Sequence, residues 1–119
     1  MATNVLERTK EALEALDVDV LVSCYAEDFL FEDIPSELRI TEKADLKTYY
    51  EHLFALPNVK FSDTVIYDGG DWAALEWTWS GNKRDSGAEY QVRGASIIEL
   101  RDGRIARETI YFDPRPALS

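Results

Sequence analysis

The chain has 119 residues, of which 45% are hydrophobic and 12% aromatic, so its size and composition predict one domain (1–119) with a packed core. Its 23 acidic and 13 basic residues give a formal charge of -10, which disfavours binding to nucleic acid or to anionic membranes. No apolar run reaches the roughly 20 residues of a membrane span, and the charged N-terminal segment does not resemble a signal peptide, so a cytoplasmic location is expected.

Three helices are predicted in the first half of the chain. Asn4 and Glu7 have the spacing of a capping box, and the apolar stripe that follows ends near Asp17. A second, short helix starts at Asp17 or Asp19, and its inward residues are Leu21, Cys24 and Tyr25. A third helix is expected between Thr41, as its cap, and Pro57, with an apolar stripe formed by Leu46, Tyr49, Tyr50, Leu53 and Phe54.

Strands are predicted around the third helix. Residues 29–33 form a short strand, which the Ile34-Pro35-Ser36 segment ends. Residues 59–67 and 72–80 form two longer strands joined by a turn at 68–71. The inward face of the second of these carries Ala73, Leu75, Trp77 and Trp79.

The strongest local signal is a hairpin over residues 93–113, because Asp102-Gly103 is a preferred two-residue turn. Before the turn, one face carries Val92, Gly94, Ser96, Ile98 and Leu100. After the turn, the corresponding face carries Ala106, Glu108, Ile110 and Phe112, and Ile105 belongs to the opposite face. The small residues Gly94 and Ser96 are expected to keep space open in the middle of the sheet.

This order of elements predicts an α+β domain, a cone in which a curved antiparallel sheet packs on three N-terminal helices. Such a cone leaves an apolar pocket at its open end, which suits a small apolar ligand. The outer face of the sheet is predicted to form a homodimer, because a monomer would expose a large patch made of Trp72, Ala74, Thr78, Ala95, Ile97 and Tyr111.

The sequence predicts neither a metal nor a cofactor. Cys24 is the only cysteine and His52 the only histidine, which excludes an internal disulfide and a zinc site built from thiolates and imidazoles. An oxygen-ligand site stays open with 23 carboxylates, although no calcium-binding loop spacing occurs. There is no glycine-rich phosphate loop and no GxSxG motif. His52 is expected at the surface.

Three segments carry a resemblance to a known family: YAEDFLFEDIP (25–35), LKTYYEHLFALP (46–57) and IIELRDGRIARETIYFD (97–113). With the order of elements, they resemble the nuclear-transport-factor-2-like superfamily in its SnoaL-like and ketosteroid-isomerase-like branch. The resemblance implies the cone-shaped fold over the whole chain. It implies the activity less closely, because this fold hosts isomerases, cyclases, dehydratases, hydrolases and non-enzymes.

Matched residue by residue, the resemblance places Asp33 on the general base of ketosteroid isomerase. Tyr50 falls on a tyrosine of that enzyme's hydrogen-bond network, and Tyr49 on an aromatic of its cavity wall. Thr9 and Ser96 occupy the positions of its two oxyanion donors, so both strong donors are missing. The charged set of limonene epoxide hydrolase is replaced by Ile110, Trp77 and Trp79. For the polyketide cyclases, Asp33 and Asp113 are both candidate acid/base residues.

Each candidate has a structural alternative. Asp33 is a general base in partly apolar surroundings, or a cap of the turn that follows it. Glu108 is a partner acid in the pocket, or a member of an ion pair with Arg93 or Arg107. Asp113 is an acid/base group, or a cap. The remaining candidates line a ligand pocket or are plain core: Phe31, Tyr49, Trp77, Trp79, Ser96, Ile110 and Phe112.

Two functions follow from these candidates. The first is an enzyme that abstracts a proton next to the carbonyl of a small apolar substrate, with Asp33 as base and Tyr50 and Ser96 holding the oxygen. Its outcome would be isomerisation or an aldol-type cyclisation. The second is a non-catalytic module that binds a small hydrophobic ligand in the same pocket.

Overall fold

A computed structural model describes residues 4–118 of the chain. It contains three helices, α1 (Val5–Ala15), α2 (Val18–Ser23) and α3 (Lys43–Phe54). The six strands are β1 (Tyr25–Asp33), β2 (Leu38–Ile40), β3 (Lys60–Asp68), β4 (Trp72–Asn82), β5 (Glu89–Arg101) and β6 (Arg104–Phe112), followed by a short 3₁₀ helix (Arg115–Ala117). The strands form one curved, open sheet in the order β2-β1-β6-β5-β4-β3, and the predicted α+β class is confirmed.

The sheet is mixed, which corrects the prediction of an antiparallel sheet. β1 runs parallel to β6, whereas every other neighbouring pair is antiparallel. The alternation of apolar residues in β1 records which face is buried and carries no information about strand direction. The sequence prediction also missed β2, because three residues are too few to show a period; β2 pairs with the end of β1, Ile40 opposite Phe31.

The hairpin forms at the predicted turn but contains a β-bulge. Asp102 and Gly103 have φ angles of 53° and 72°, as the two-residue turn requires. Beyond the turn, Ile105 lies opposite Leu100, whereas Arg107 lies opposite Glu99, so Ala106 is the extra residue. The bulge brings Ile105 to the inner face, where it is 0% exposed. The predicted outward position of Ile105 and inward position of Ala106 are therefore wrong.

Side-chain caps begin the first two helices. Asn4 Oδ1 accepts a hydrogen bond from the Leu6 backbone N–H at 2.7 Å, and Asp17 Oδ1 accepts one from Val20 at 3.1 Å. The predicted cap at Thr41 is wrong, because α3 begins one residue later. Its N-cap is Glu42, whose side chain makes no capping hydrogen bond.

The core lies between the helices and the inner face of the sheet. Its fully buried side chains come from both layers and include Leu6, Leu21, Leu46, Leu75, Ile98 and Ile105. A Cβ atom at Gly94 would overlap the Trp77 ring, which lies directly over this glycine. Gly94 therefore makes room for Trp77. The expectation that Gly94 keeps space open in the middle of the sheet is wrong. None of the helices in residues 4–118 is long and apolar enough to cross a membrane.

The outer face of the sheet is partly apolar. Trp72, Ile97 and Tyr111 are 53%, 45% and 50% exposed. Thr78 does not belong to this exposed set, because it is only 3% exposed. The Arg93 guanidinium donates to its hydroxyl at 2.9 Å and covers it.

Candidate functional site

A cavity of about 400 Å³ opens between the helices and the inner face of the sheet. This volume is in the range of small-molecule sites. Its walls are mostly apolar, and all ten site residues predicted from the sequence border it: Phe31, Asp33, Tyr49, Tyr50, Trp77, Trp79, Ser96, Glu108, Ile110 and Phe112.

The register of the sheet sets the positions of the two acidic residues. Asp33 on β1 lies opposite Ile110 on β6, and Glu108 lies two residues earlier on β6, opposite Phe31. Because paired strands lie about 4.8 Å apart and each residue rises about 3.3 Å, this offset places the two Cα atoms about 8 Å apart. Both side chains point inward, so the two carboxyl groups border one cavity from adjacent strands.

Asp33 is 3% exposed at the end of β1. The Tyr49 hydroxyl donates to its Oδ2 at 2.8 Å, and the Ser36 backbone N–H donates to its Oδ1 at 3.2 Å. Asp33 therefore borders the cavity and caps the turn at once, so the two alternatives from the sequence are compatible. Burial raises the pKa of the Tyr49 hydroxyl, and the negative charge of Asp33 adds to the effect, which keeps this tyrosine a proton donor.

Glu108 is 5% exposed and accepts a hydrogen bond at Oε1 from the Tyr25 hydroxyl. Burial raises the pKa of Glu108 above its ordinary value, and hydrogen bonds from Tyr25 and Ser96 oppose the rise. The net direction is upward, because desolvation is the largest of these effects.

The alternative role of Glu108, an ion pair with Arg93 or Arg107, is wrong. Arg93 pairs with Glu76 at 3.6 Å, on the outer face of the sheet. Arg107 pairs there with Glu32 at 3.1 Å. Both guanidinium groups are therefore separated from Glu108 by the sheet itself.

Tyr25 is the functional candidate that the sequence prediction missed. It was expected to face inward, and it is 0% exposed, behind the cavity wall. Besides contacting Glu108, its hydroxyl lies 2.8 Å from the Tyr50 hydroxyl. The pKa values of both tyrosines are raised well above the ordinary value, by burial first and by the nearby Glu108 second. The sequence prediction placed Tyr25 on the second helix, whereas it is the first residue of β1. Strand parity could not have found it, because the register of β1 shifts between Tyr25 and Leu30.

The two positions that hold oxyanion donors in ketosteroid isomerase behave differently here. The Thr9 hydroxyl donates to the Val5 carbonyl at 2.7 Å, so its only proton is committed to the helix backbone. The Ser96 hydroxyl accepts a hydrogen bond from Trp77 Nε1 at 3.0 Å, and its own proton can go to Glu108 or to a ligand. Of the pair, only Ser96 can therefore donate to a ligand.

The cavity rim contains residues that the sequence did not assign to the site. His52 is exposed, as predicted, but it also borders the cavity, together with Pro114 and Leu118 from the C-terminal segment. The walls also include six apolar side chains: Leu13, Leu21, Leu53, Leu56, Phe61 and Leu75. Their role was not predicted because the periodicity of apolar residues in helices and strands identifies buried positions without separating core from cavity wall.

Asp113 lies outside the cavity wall. Its carboxylate forms an ion pair with Arg115 at 2.6 Å, and this guanidinium lowers the pKa of Asp113 to about 2. Asp113 also accepts the Arg115 backbone N–H at 3.0 Å, as a cap of the C-terminal turn. The structure thus brings Asp33, and not Asp113, to the cavity.

Within residues 4–118, no group of three or more histidine, cysteine, aspartate or glutamate side chains is placed to hold a metal ion. Asp33 and Glu108 are the two acidic residues that border the cavity, and no lysine or arginine among residues 4–118 does so. The arrangement can accept a proton at one carboxylate and donate a hydrogen bond from a neutral acid, within apolar walls.

Solved structures with the same fold carry several names. A Catenulispora acidiphila protein with a ketosteroid isomerase-like fold, in complex with trimethylamine, matches with a TM-score of 0.85 and 18% identity over 99% of this chain and 92% of its own. A Bacillus subtilis protein provisionally named an isomerase matches with a TM-score of 0.76 and 24% identity, over 93% of this chain and 85% of its own. A Silicibacter protein provisionally named a polyketide cyclase matches with a TM-score of 0.78 and 26% identity, over 92% of this chain and 86% of its own.

No curated protein is significantly similar to the chain. The model of the SnoaL-like domain matches residues 6–108, which include both carboxyl groups of the cavity and all of the sheet except the end of β6. The sequence resemblance and the fold agree with this match. The chain therefore belongs to the SnoaL-like domain family, within the nuclear-transport-factor-2-like superfamily.

Proposed function

We propose that this protein is a cofactor-independent enzyme that abstracts a proton next to the carbonyl of a small apolar substrate. The product would be an isomer or a cyclised compound. The observation that carries the proposal is that two buried carboxyl groups, of Asp33 and Glu108, border the same apolar cavity of about 400 Å³. Burial raises the pKa of Glu108, and two acidic groups in different environments can divide the roles of acid and base.

In the proposed reaction, the Asp33 carboxylate takes a proton from the carbon next to the carbonyl. The C–H electron pair moves into the enolate, and the negative charge develops on the oxygen. Glu108, whose neutral form is favoured because burial raises its pKa, and Ser96 donate hydrogen bonds to that oxygen. Asp33 then returns the proton to another carbon of the enolate. Alternatively, the enolate carbon attacks a second carbonyl of the same molecule, the π electron pair of that carbonyl moves to its oxygen, and Asp33 returns the proton to the resulting alkoxide.

Similar proteins support the reaction class. Structural neighbours are provisionally named isomerase and polyketide cyclase, and these names correspond to the two outcomes of the proposed reaction, an isomer or a cyclised compound. The resemblance of the Asp33 segment to the base of ketosteroid isomerase supports the choice of base. The cytoplasmic location remains a prediction from the sequence.

Deuterium exchange tests this proposal without knowledge of the physiological substrate. The protein is incubated in D₂O with a panel of small enones and β-dicarbonyl compounds, and deuterium incorporation is followed by NMR. We expect catalysed exchange, fastest for β-dicarbonyl compounds, because their acidic protons demand less stabilisation of the enolate. Absence of exchange in compounds that bind with measurable affinity would contradict the proposal.

The alternative is a non-catalytic module that binds a small hydrophobic ligand. The observation that favours it is the commitment of the Thr9 hydroxyl to a backbone carbonyl, which leaves the cavity with fewer donors than ketosteroid isomerase has. Mass spectrometry of ligands retained through purification separates the two functions. A retained compound without an acidic C–H bond favours the binding module, and a retained carbonyl compound favours the enzyme.

A further inference from the structure

A directed chain of hydroxyl groups ends at Glu108. The Tyr25 hydroxyl donates to Glu108 Oε1, and the Tyr50 hydroxyl lies 2.8 Å from that of Tyr25. Because a tyrosine hydroxyl carries a single proton, Tyr25 has none left for Tyr50. Tyr50 is therefore the donor of the pair, and the chain runs from Tyr50 through Tyr25 to Glu108.

We infer that Tyr25 is a positioning residue, which holds Glu108 so that its carboxyl proton sits on Oε2 and is offered to an oxygen atom of the substrate. The part that concerns the substrate rests on the proposed function. The part that concerns Glu108 itself stands on the hydrogen-bond geometry and can be tested alone.

The position of the proton follows from the direction of the hydrogen bond. In a neutral carboxyl group one oxygen carries the proton and the other accepts. Since Oε1 of Glu108 accepts the Tyr25 proton, Oε2 is the oxygen that carries the acid proton. Glu108 borders the cavity, whereas Tyr25 lies behind the wall, so Oε2 is the oxygen available to a ligand.

The surroundings of Glu108 favour the neutral acid. The titratable groups that face it are Tyr25 from β1 and Tyr49 and Tyr50 from α3. Asp33 borders the cavity from the neighbouring strand, and His52 lies at the rim. Burial disfavours the carboxylate, and the Tyr25 hydrogen bond limits this effect by stabilising the ionised form.

Two hydroxyl groups that border the cavity are committed to partners within the protein, which makes the Glu108 proton more important to a bound oxygen atom. Thr9 gives its proton to the Val5 carbonyl, and Tyr50 gives its own to Tyr25. Glu108 therefore takes over the function of a donor that Thr9 cannot supply, and Tyr25 orients it. This arrangement selects substrates in which the oxygen that becomes negative lies near Glu108 on β6 while the acidic C–H bond lies near Asp33 on β1.

Infrared titration of the full-length protein tests the inference. The carbonyl band of the neutral Glu108 carboxyl is isolated by subtracting the spectrum of Glu108→Gln, and each tyrosine variant is paired with its own Glu108→Gln double variant. We expect Glu108 to titrate above an ordinary glutamate in the wild type. Tyr25→Phe removes a hydrogen bond to the ionised form, so the midpoint moves to still higher pH and the band shifts in frequency.

Two further variants make the test specific. Tyr50→Phe removes the hydrogen bond to Tyr25, one step away from Glu108, so a smaller upward shift of the Glu108 midpoint is expected. This variant carries the test if Tyr25→Phe does not fold. Tyr67→Phe is the control, because the Tyr67 hydroxyl donates to Glu76 at 2.8 Å on the outer face and its loss should leave Glu108 unchanged. An unchanged Glu108 midpoint and band in Tyr25→Phe, or in Tyr50→Phe where only that variant folds, would overturn the inference.

Exchange kinetics separate this inference from the proposed function. If exchange is catalysed, Tyr25→Phe should lower kcat and leave KM near the wild-type value, since the acid proton acts mainly on the developing charge. A Glu108 midpoint that shifts as expected, in a protein that exchanges no substrate, would support the positioning role and contradict only the enzymatic function.

Discussion

Trp77 and Gly94 lie opposite each other on β4 and β5, and the indole ring covers the position where a side chain at residue 94 would project. The same indole donates from Nε1 to the Ser96 hydroxyl at 3.0 Å. Gly94 thus fixes the position of a cavity wall, and through it the orientation of a hydroxyl group that borders the ligand space.

Gly94→Ala should therefore destabilise the fold by about 1–3 kcal/mol, because the added methyl group displaces a ring in a packed layer. Chemical denaturation followed by circular dichroism measures the loss. In a Trp77→Phe background the same substitution should lower the free energy of unfolding clearly less, since the smaller ring leaves room for the methyl group. Equal costs in the two backgrounds would show that the contact does not control this wall.

Glu108→Gln should change the pH dependence of stability. The pKa of Glu108 is raised in the folded protein above its ordinary value of 4.5, so the folded state holds this proton more tightly than the unfolded state. The stabilisation that this proton gives is complete below pH 4.5. It is lost as the pH rises through the pKa that Glu108 has in the folded protein. Denaturation from about pH 4 to about pH 8 should therefore show the variant gaining stability relative to the wild type as pH rises. A difference that is constant with pH would contradict this.

The cavity should discriminate ligands by charge. Its two carboxyl groups and the absence of lysine and arginine among the described residues that border it disfavour anions. A neutral ligand should bind at least about tenfold more tightly than a carboxylate of the same shape. Fluorescence of Trp77 and Trp79 reports binding, and Asp33→Asn should reduce the preference. A carboxylate that binds as tightly as its neutral counterpart would refute this prediction.

The homodimer remains a prediction. Ile97, which is 45% exposed, lies on the outer face together with the exposed aromatic residues Trp72 and Tyr111 of the predicted interface. Light scattering at micromolar concentration should give twice the 13.6 kDa of the chain. Ile97→Lys should shift the mass toward the monomer, whereas Val20→Lys, on α2, should not. A monomer mass for the wild type would exclude this assembly.

Much of the fold could be predicted because local signals were strong. The Asp102-Gly103 turn, the Asn4 cap and the inward face of β4 each depend on residues close in sequence. The parallel pairing of β1 with β6 could not be predicted, since it joins segments more than 70 residues apart. The bulge at Ala106 was missed because a single extra residue leaves no clear mark in the sequence. It exchanges the inward and outward positions on one side of the bulge.

The site was predicted as a set of residues but not as a network. The alternation of inward and outward residues along the strands predicted that Asp33 and Glu108 face the pocket, and both border the cavity. The partners of these carboxyl groups, Tyr49 and Tyr25, depend on how α3 and β1 pack, and hydrogen bonds between distant segments leave no periodic signal. The same packing determines that the Tyr50 hydroxyl contacts Tyr25.

The most direct test of the central claim is the rate of deuterium exchange into one β-dicarbonyl substrate, compared between the wild type, Asp33→Asn and Asp113→Asn. Asparagine keeps the shape of the side chain and removes the base, so Asp33→Asn should exchange about 10²–10⁴ times more slowly while still binding the substrate. Asp113→Asn removes a carboxylate that lies outside the cavity wall and should exchange at the wild-type rate. Equal rates in the wild type and Asp33→Asn would contradict the assignment of Asp33 as the general base.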